Sequence, residues 1–502
     1  MSKEEAQKVE HRRRPLRVSA AAGGQPLLKA AASASAVLMF MLTGGSCLGA
    51  RTVVQVDRPD LLGVSPVTDT ILMLHFREGH IDYFQPPYDR YDGNSLYYGL
   101  LALDRAVKID SYEVSSPDDP EYASPRRPVR AGRKSKGFHF HNLYTKGEPP
   151  HLSDHWIYIE LPLPLQRGRH YTVSLPGLAY NRATYSFLFD ERILRSETVH
   201  VNQVGYRPEG KKYAYLSHFM GDFHSETHSN GGLNLDGYDG RMCRVIRADT
   251  IDEIYKVPLS RQQLKTSPDS SGNEYGPHGN FTNADVWQCD FSPVTREGYY
   301  VVAVDGVGRS FPFYIAEDVY RAAFYTAMRG LFFQRQGVDR IVSEFDDRVY
   351  PADYRGNGMY YLPQGPSREH ISEVKDTSRP VEGIWGWYHD AGDWDTYAWV
   401  HADVPAMLLL LYELAPEKFG DGDVGNIWRR ERDGVWIDEG CNGIPDLLDE
   451  AAWYIRFLRR ARTALLSSGH GTGGVPAYVG IDAGHPDKRN NALVGRPRPC
   501  RY

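Results

Sequence analysis

Residues 386–397 read "GWYHDAGDWDTY", with Asp390, Asp393 and Asp395 set among Trp387, Tyr388, Trp394 and Tyr397. Carboxylates repel one another and aromatic rings favour burial, so the mixture needs a reason. A surface turn is one reading, because Ala391-Gly392 is an ordinary loop pair. A sugar site is the other, in which carboxylates move protons and aromatic faces hold pyranose rings.

Helical segments must position that turn. In "EDVYRAAFYTAMRGLFFQRQG", Val319, Ala322, Ala323, Ala327, Leu331 and Phe332 predict a helical stripe, with Asp318 as the cap and Gly337 as the stop. "ADVPAMLLLLYELAPEKF" predicts a second, strongly apolar helix. "GIPDLLDEAAWYIRFLRRARTALL" predicts a third, with Pro445 in the first turn and Asp446, Asp449 and Glu450 at the positive end. Those three acids read as helix-start electrostatics. Helices joined by long loops predict an all-α domain whose site lies in the loops.

The chain before Ala316 has a different period. Residues 52–195 hold short β-prone runs, "TDTILMLHF", "KIDSYEV", "WIYIELPLPL" and "RHYTVSLPGL", which predict a β-sandwich. The intervening "SPDDPEYASPRRPVRAGRKSKG" reads as a solvated polar insertion. A second β-sandwich is predicted over 196–316, where Val201, Val204, Tyr213 and Tyr215 sit on extended runs and Asp305-Gly306 marks a hairpin. The order is thus two β modules, then helices. A chain of 502 residues accommodates about three domains.

Composition removes some function classes. The net charge of −6, from 58 basic and 64 acidic residues, is too balanced for a nucleic-acid surface. Aromatics reach 12%, a proportion that suits carbohydrate contact. No phosphate loop, zinc motif or calcium-loop signature is present in the sequence. Of the five cysteines, Cys243 and Cys289 read either as a disulfide in an oxidising compartment or as two buried thiols. Residues 1–50 resemble an export segment: Arg12, Arg13, Arg14, Arg17 and Lys29 precede a small-residue apolar run too short for a spanning helix. Cleavage near Ala50, or lipidation of Cys47, would give a secreted, periplasmic or cell-surface protein without a stable membrane span.

"VNQVGY" at 201–206 resembles the immunoglobulin-like module that precedes some cellulases. "DVYRAAFYTAMRGLFFQRQG", "HDAGDWDTY" and "GIPDLLDEAAWYIRFL" resemble, in the same order, motifs of the glycoside hydrolase family 9 catalytic domain. The resemblance spans about 196–487 and implies a cellulase-type enzyme acting on a β-linked glucan. Its fold would be two immunoglobulin-like sandwiches, then the first part of an (α/α)6 barrel over 317–487. Inverting hydrolysis places a base and an acid ~6.5–9.5 Å apart with a water between them. By resemblance Asp393 is the general base and Asp390 helps to hold the water. Trp394, Tyr397 and His389 are the candidate substrate contacts, although packing against the barrel serves the two aromatics equally well and His389 also suits an orienting role. Asp395 has no counterpart role. Calcium occurs in relatives and is the one cofactor the resemblance allows, without a ligand set here.

The family's general-acid glutamate segment has no match in this sequence, nor does its later histidine and arginine motif. Little or no turnover is therefore expected of residues 1–502. The tail 488–502, "KRNNALVGRPRPCRY", departs from the family and reads as a shifted frame, an incomplete gene or a flexible tail. Two functions follow: an exported glucan hydrolase with impaired turnover, or a non-catalytic remnant that at most binds carbohydrate.

Overall fold

The computed structural model describes residues 53–82, 95–140, 151–224, 231–267, 283–337, 359–362, 376–389, 396–422, 431–432, 435–436, 442–470, 473–479 and 500–501. The first β module contains β1 (Val53–Gln55), β2 (Asp60–Pro66), β3 (Ile71–Arg77), β4 (Gly79–Asp82), β5 (Ser95–Tyr98), β6 (Glu113–Ser115), β7 (Arg130–Phe140), β8 (His151–Glu160), β9 (Arg169–Ser174) and β10 (Thr184–Phe189). One antiparallel sheet runs β2-β3-β8-β7 and a second β10-β9-β6, while β1, β5 and β4 form a small third sheet. Leu72, Leu74 and Phe76 of β3 meet Ile157 and Ile159 of β8 and Tyr171 and Val173 of β9 in one core. The alternate residues Ile71 and Met73 are buried on the opposite face. A strand with two buried faces has to be a continuous apolar run, as "ILML" is.

The predicted insertion is only half a loop. Residues 130–140, "RAGRKSKGFHF", form the longest strand of the module, hydrogen-bonded on one side to β8. Basic residues suit an edge strand because they deter pairing with another chain. Charge hid the strand.

The second module carries β11 (Val199–His200), β12 (Tyr213–Leu216), β13 (Met242–Arg247), β14 (Glu253–Pro258), β15 (Ser260–Gln263), β16 (Val286–Asp290), β17 (Gly298–Val304), β18 (Gly308–Arg309) and β19 (Phe313–Ile315). They form two sheets, β11-β12-β16-β15 and β14-β13-β17-β18, with β19 also on β17. A disulfide joins Cys243 of β13 to Cys289 of β16, one sheet to the other, beside the buried Trp287. The pairing that the sequence left open is therefore made. Asp305-Gly306 does turn β17 into β18, with Gly306 at φ +72°.

"VNQVGY" is a turn rather than an extended run, which corrects the reading of Val201 and Val204. Asn202 Oδ1 accepts the Val204 N–H at 3.1 Å, and Asn202 Nδ2 donates to the Gly205 carbonyl at 2.9 Å. Gly205, at φ +119°, approaches so near Tyr314 that a β-carbon there would lie 2.5 Å from its carbonyl oxygen. Tyr206 N–H then donates to Tyr314 O, and Ala316 N–H donates back to Tyr206 O. The motif grips the strand that leads into the helices.

The two β modules share a core. Val67, Ile71, Met73 and Tyr158 of the first cluster with Leu216, Met220, Phe223 and Leu235 of the second. Charge reinforces the junction: Asp305 receives Arg244 of its own module at 3.0 Å and Arg167 of the other at 2.7 Å. Glu191 accepts both Arg167 and the Gly306 N–H.

The helical part contains α1 (Arg321–Gln334), α2 (Asp403–Leu414) and α3 (Asp446–Ser467). Its core holds Met328, Phe332, Trp387, Leu408, Trp453, Tyr454 and Phe457. The predicted stripe of α1 is corrected, because Ala322, Ala323 and Ala327 are exposed. Phe324, Tyr325, Met328, Leu331 and Phe332 face the core instead, since large side chains gain more by burial than alanines do. Asp318 caps only through its carbonyl, which accepts the Arg321 N–H at 2.8 Å. Pro445 precedes the first turn of α3 as its N-cap residue. No described helix is long and apolar enough to cross a membrane.

The junction leaves little slack for a protease. Arg207 pairs with Glu317 at 2.8 Å, and Tyr320 OH donates to Gly205 O at 3.2 Å. Limited proteolysis should therefore leave Phe313–Tyr320 intact while cutting elsewhere; early cleavage inside that span would contradict a docked junction.

His218 lies between the β modules, its Nε2 3.1 Å from Tyr158 OH. Burial, then the charges of Lys134 and His200, push its pKa down to about 3. An unfolded histidine titrates near ~6.5. The stabilisation from keeping His218 neutral is therefore complete above that value and drains away as pH falls toward 3, by about 1.4 kcal/mol per pH unit. Between pH 7 and pH 4 the protein should lose more stability than its His218→Gln variant, measured as denaturant midpoints; parallel pH curves would count against this.

Candidate active site

Asp390, Asp393, Trp394 and Asp395 lie outside the described residues, whereas both ends of their turn are described. On the entry side Gln336 N–H donates to Trp387 O at 2.9 Å, and His389 N–H donates to Gln334 O at 2.8 Å. These bonds explain why α1 stops before Gly337: Arg335 becomes extended and bridges to Tyr388. Gln336 Oε1 also accepts the Gly386 N–H at 2.9 Å.

Arg335 carries its guanidinium into a fully buried position. Its Nη2 donates to Glu450 Oε2 at 2.9 Å and its Nε to Oε1 at 3.3 Å, with neither side chain exposed. Tyr388 OH donates to Glu450 Oε1 at 2.5 Å. The Arg335 cation also lies 4.3 Å from the Trp453 ring centre. Glu450 thus does more than answer the α3 dipole: it joins α1, the entry to the turn and α3. A glutamate at a helix start has a sufficient local reason to be there, so the sequence alone hid this role.

On the exit side, Thr396 Oγ1 stands 2.7 Å from His401 Nδ1 and 3.2 Å from Tyr454 OH. Tyr397 N–H donates to His401 Nδ1 at 3.1 Å. Burial raises the Tyr454 hydroxyl to about 12, against a smaller opposing effect of Thr396, so it stays a donor at working pH. Tyr454 is four residues beyond Glu450, one helical turn along the same face, and its ring stacks on Tyr388 at 5.9 Å. Both ends of the aspartate turn therefore rest on one face of α3.

Of the predicted contacts, His389 is buried and bonded through its backbone. Tyr397 is half-buried, its ring 5.1 Å from Trp399, which is 65% exposed. Trp399 is an open aromatic face beside the turn that sequence reasoning missed. Asp446 accepts the Gly422 N–H at 3.1 Å, and Asp449 accepts Asn442 Nδ2 at 2.9 Å, so these acids fasten the preceding loop. A groove of about 770 Å³ follows the outer side of α3, lined by Glu382, Arg456, Arg459, Arg460 and Thr463. Among the described residues no group of three or more His, Cys, Asp or Glu side chains could hold a metal, so the calcium of the resemblance finds no ligands there.

The buried pair makes a stability prediction. Glu450→Leu leaves the Arg335 charge buried without its carboxylate and should cost ~3–5 kcal/mol. Arg335→Met together with Glu450→Leu should recover much of that loss. Denaturant unfolding of the three proteins checks this, and a single-variant loss under ~1 kcal/mol would refute the pairing.

No family model matches the chain. Endoglucanase D of Acetivibrio thermocellus is 33% identical over 179 residues, covering 36% of this chain and 25% of that protein. The cellulose 1,4-beta-cellobiosidase of Acetivibrio thermocellus is 26% identical over 284 residues, 54% of this chain and 27% of its own. The crystal structure of a metagenome-derived glycoside hydrolase family 9 endoglucanase is 28% identical, covers 52% of this chain and 40% of its own, and has a TM-score of 0.39. The chain spans about a quarter of the length of these two curated relatives. Over the part that matches, the chain is similar to an endoglucanase and to a cellulose 1,4-beta-cellobiosidase.

Proposed function

We propose that the protein is an exported glycoside hydrolase that cleaves a β-linked glucan with inversion. Asp393 acts as general base and Asp390 holds the attacking water. One observation carries the reading: the turn bearing these residues has both ends bonded to the face of α3 formed by Glu450 and Tyr454. Kinship with endoglucanases supports a glucan substrate. A base and its water have to be held to within tenths of an ångström, and a turn fixed at both ends meets that need. Trp394, Tyr397 and His389 line the sugar site in this reading, and the exposed Trp399 extends it.

The same proposal takes 1–50 as an export segment, 52–195 and 196–316 as sandwich modules, and 317–487 as part of an (α/α)6 catalytic barrel. Turnover is impaired in it, because no carboxylate here is assigned as the general acid. The second reading, a carbohydrate-binding or structural protein without turnover, is favoured by the open apolar face of α2, where Met407 is 64% and Leu414 74% exposed. A catalytic barrel would cover such a face.

Single-turnover hydrolysis of a labelled soluble β-glucan separates the readings. The chain should turn over slowly, and Asp393→Asn should lose a further ~10²–10⁴-fold while binding of cello-oligosaccharide survives. Azide should restore part of that loss by replacing the activated water. Asp390→Asn should lose less, since an amide can still position water. Equal rates for the parent and Asp393→Asn would remove the assignment, and binding without any hydrolysis would favour the second reading.

A further inference from the structure

The first β module holds a serine, a histidine and a glutamate in series. Ser135 of β7 and His155 of β8 are directly opposed across the ladder, with Ser135 Oγ 2.7 Å from His155 Nδ1. His155 Nε2 lies 3.0 Å from Glu78 Oε1. That approach is off the line of an ideal hydrogen bond, a common condition of catalytic contacts without substrate. His155 and Glu78 are buried, and Ser135 is exposed. Backbone donors fix the glutamate: Leu101 N–H at 3.2 Å to Oε1 and Ser153 N–H at 3.0 Å to Oε2.

Burial by itself would raise the Glu78 carboxyl, but His155 and the two amides outweigh it and hold the group below its ordinary value. An ionised Glu78 takes the proton-bearing Nε2 of His155, which leaves Nδ1 as the acceptor for the serine hydroxyl. The order nucleophile, base, orienting acid is then complete.

The strand edge supplies the remaining part. Arg133 directs its backbone N–H and C=O away from β8, to Asp222 Oδ1 and the Asp222 N–H. Backbone groups alternate along an edge strand, so Ser135, two residues on, aims its own N–H away from β8 as well. The nucleophile's own amide is one donor used to hold the oxyanion in acyl transfer.

We propose that Ser135, His155 and Glu78 form a second hydrolytic site, one that cleaves short acyl esters and is separate from the aspartate turn. Ser135 Oγ bonds to the acyl carbon while its proton passes to His155 Nδ1. The ester C–O bond breaks, and that proton leaves with the alkoxide as an alcohol. Water then attacks the acyl-serine through the same base, releasing a carboxylic acid and restoring Ser135. A hydroxyl at an open sheet edge can reach an ester borne on a bulky polymer, which a closed cavity could not admit.

The test uses the full chain, p-nitrophenyl acetate and a fluorophosphonate. The fluorophosphonate should add once, on the peptide containing Ser135. Ester hydrolysis should fall ~10²–10⁴-fold in Ser135→Ala, whose exposed position carries no folding role, and in His155→Gln. Glu78→Gln keeps Ser135 and His155 in place but loses the carboxylate that orients the imidazole, so kcat for the ester should fall while KM stays near the parent's. A purely structural chain of hydrogen bonds would not split kcat from KM in that way. An unlabelled Ser135, a parent that does not hydrolyse the ester, or Ser135→Ala working at the parent's rate would each overturn the proposal. None of these readouts involves a glycosidic bond, so failure here leaves the glucan reading standing.

Discussion

The buried pair of Arg335 and Glu450 is the constraint on which the helical part depends. Two opposite charges with no exposed surface are tolerable only when they are paired. Pairing them dictates geometry. Arg335 has to leave the helix to reach α3, so α1 ends at Gln334, and the extended segment it opens pairs with residues 387–389. Tyr388 completes the coordination of Glu450, and its ring then stacks on Tyr454, which reaches Thr396 on the far side of the turn. One ion pair thereby sets the end of a helix, the entry to a loop and the exit from it.

The β modules are joined by a different means. Their shared core is apolar, and of the charged groups at its border Asp305, Arg167 and Arg244 are only partly shielded while Glu191 is buried. Apolar burial gives such a junction its strength without direction, whereas paired arginines fix register. The turn at 201–206 carries that rigidity forward, since the Gly205 approach to Tyr314 permits no side chain. The helices start from a fixed platform.

Most elements were legible in the sequence because their cause is local. The apolar run of β3 reflects two buried faces, and the Asp305-Gly306 pair reflects a hairpin that needs positive φ. The three helices appeared from period and length, although the stripe of α1 was misplaced by counting alanines as equal to phenylalanines. What stayed hidden has a remote cause. Strand β7 looked like a solvated loop because an edge strand is selected for charge. The role of Glu450 was masked by an adequate local explanation, and Arg335, 115 residues away in sequence, gave no sign of its partner. The aspartates of the candidate site were the most conspicuous residues in the chain, yet the groups that hold their turn were among the least.

That asymmetry has a physical root. A turn with three carboxylates within six residues is self-repelling, and left alone it would spread into water. Holding it needs anchors outside the turn, and those anchors do not have to look like chemistry. A buried ion pair is a poor way to gain stability, because apolar residues of similar volume often do as well or better. What apolar residues cannot supply is direction: a guanidinium that meets a carboxylate through two nitrogens admits few orientations, and a tyrosine hydroxyl on the same carboxylate removes more. Arg335, Glu450 and Tyr388 are therefore better understood as setting position than as adding stability. That direction is applied on either side of the aspartates: at Tyr388 on the entry and, through Tyr454, at Thr396 on the exit.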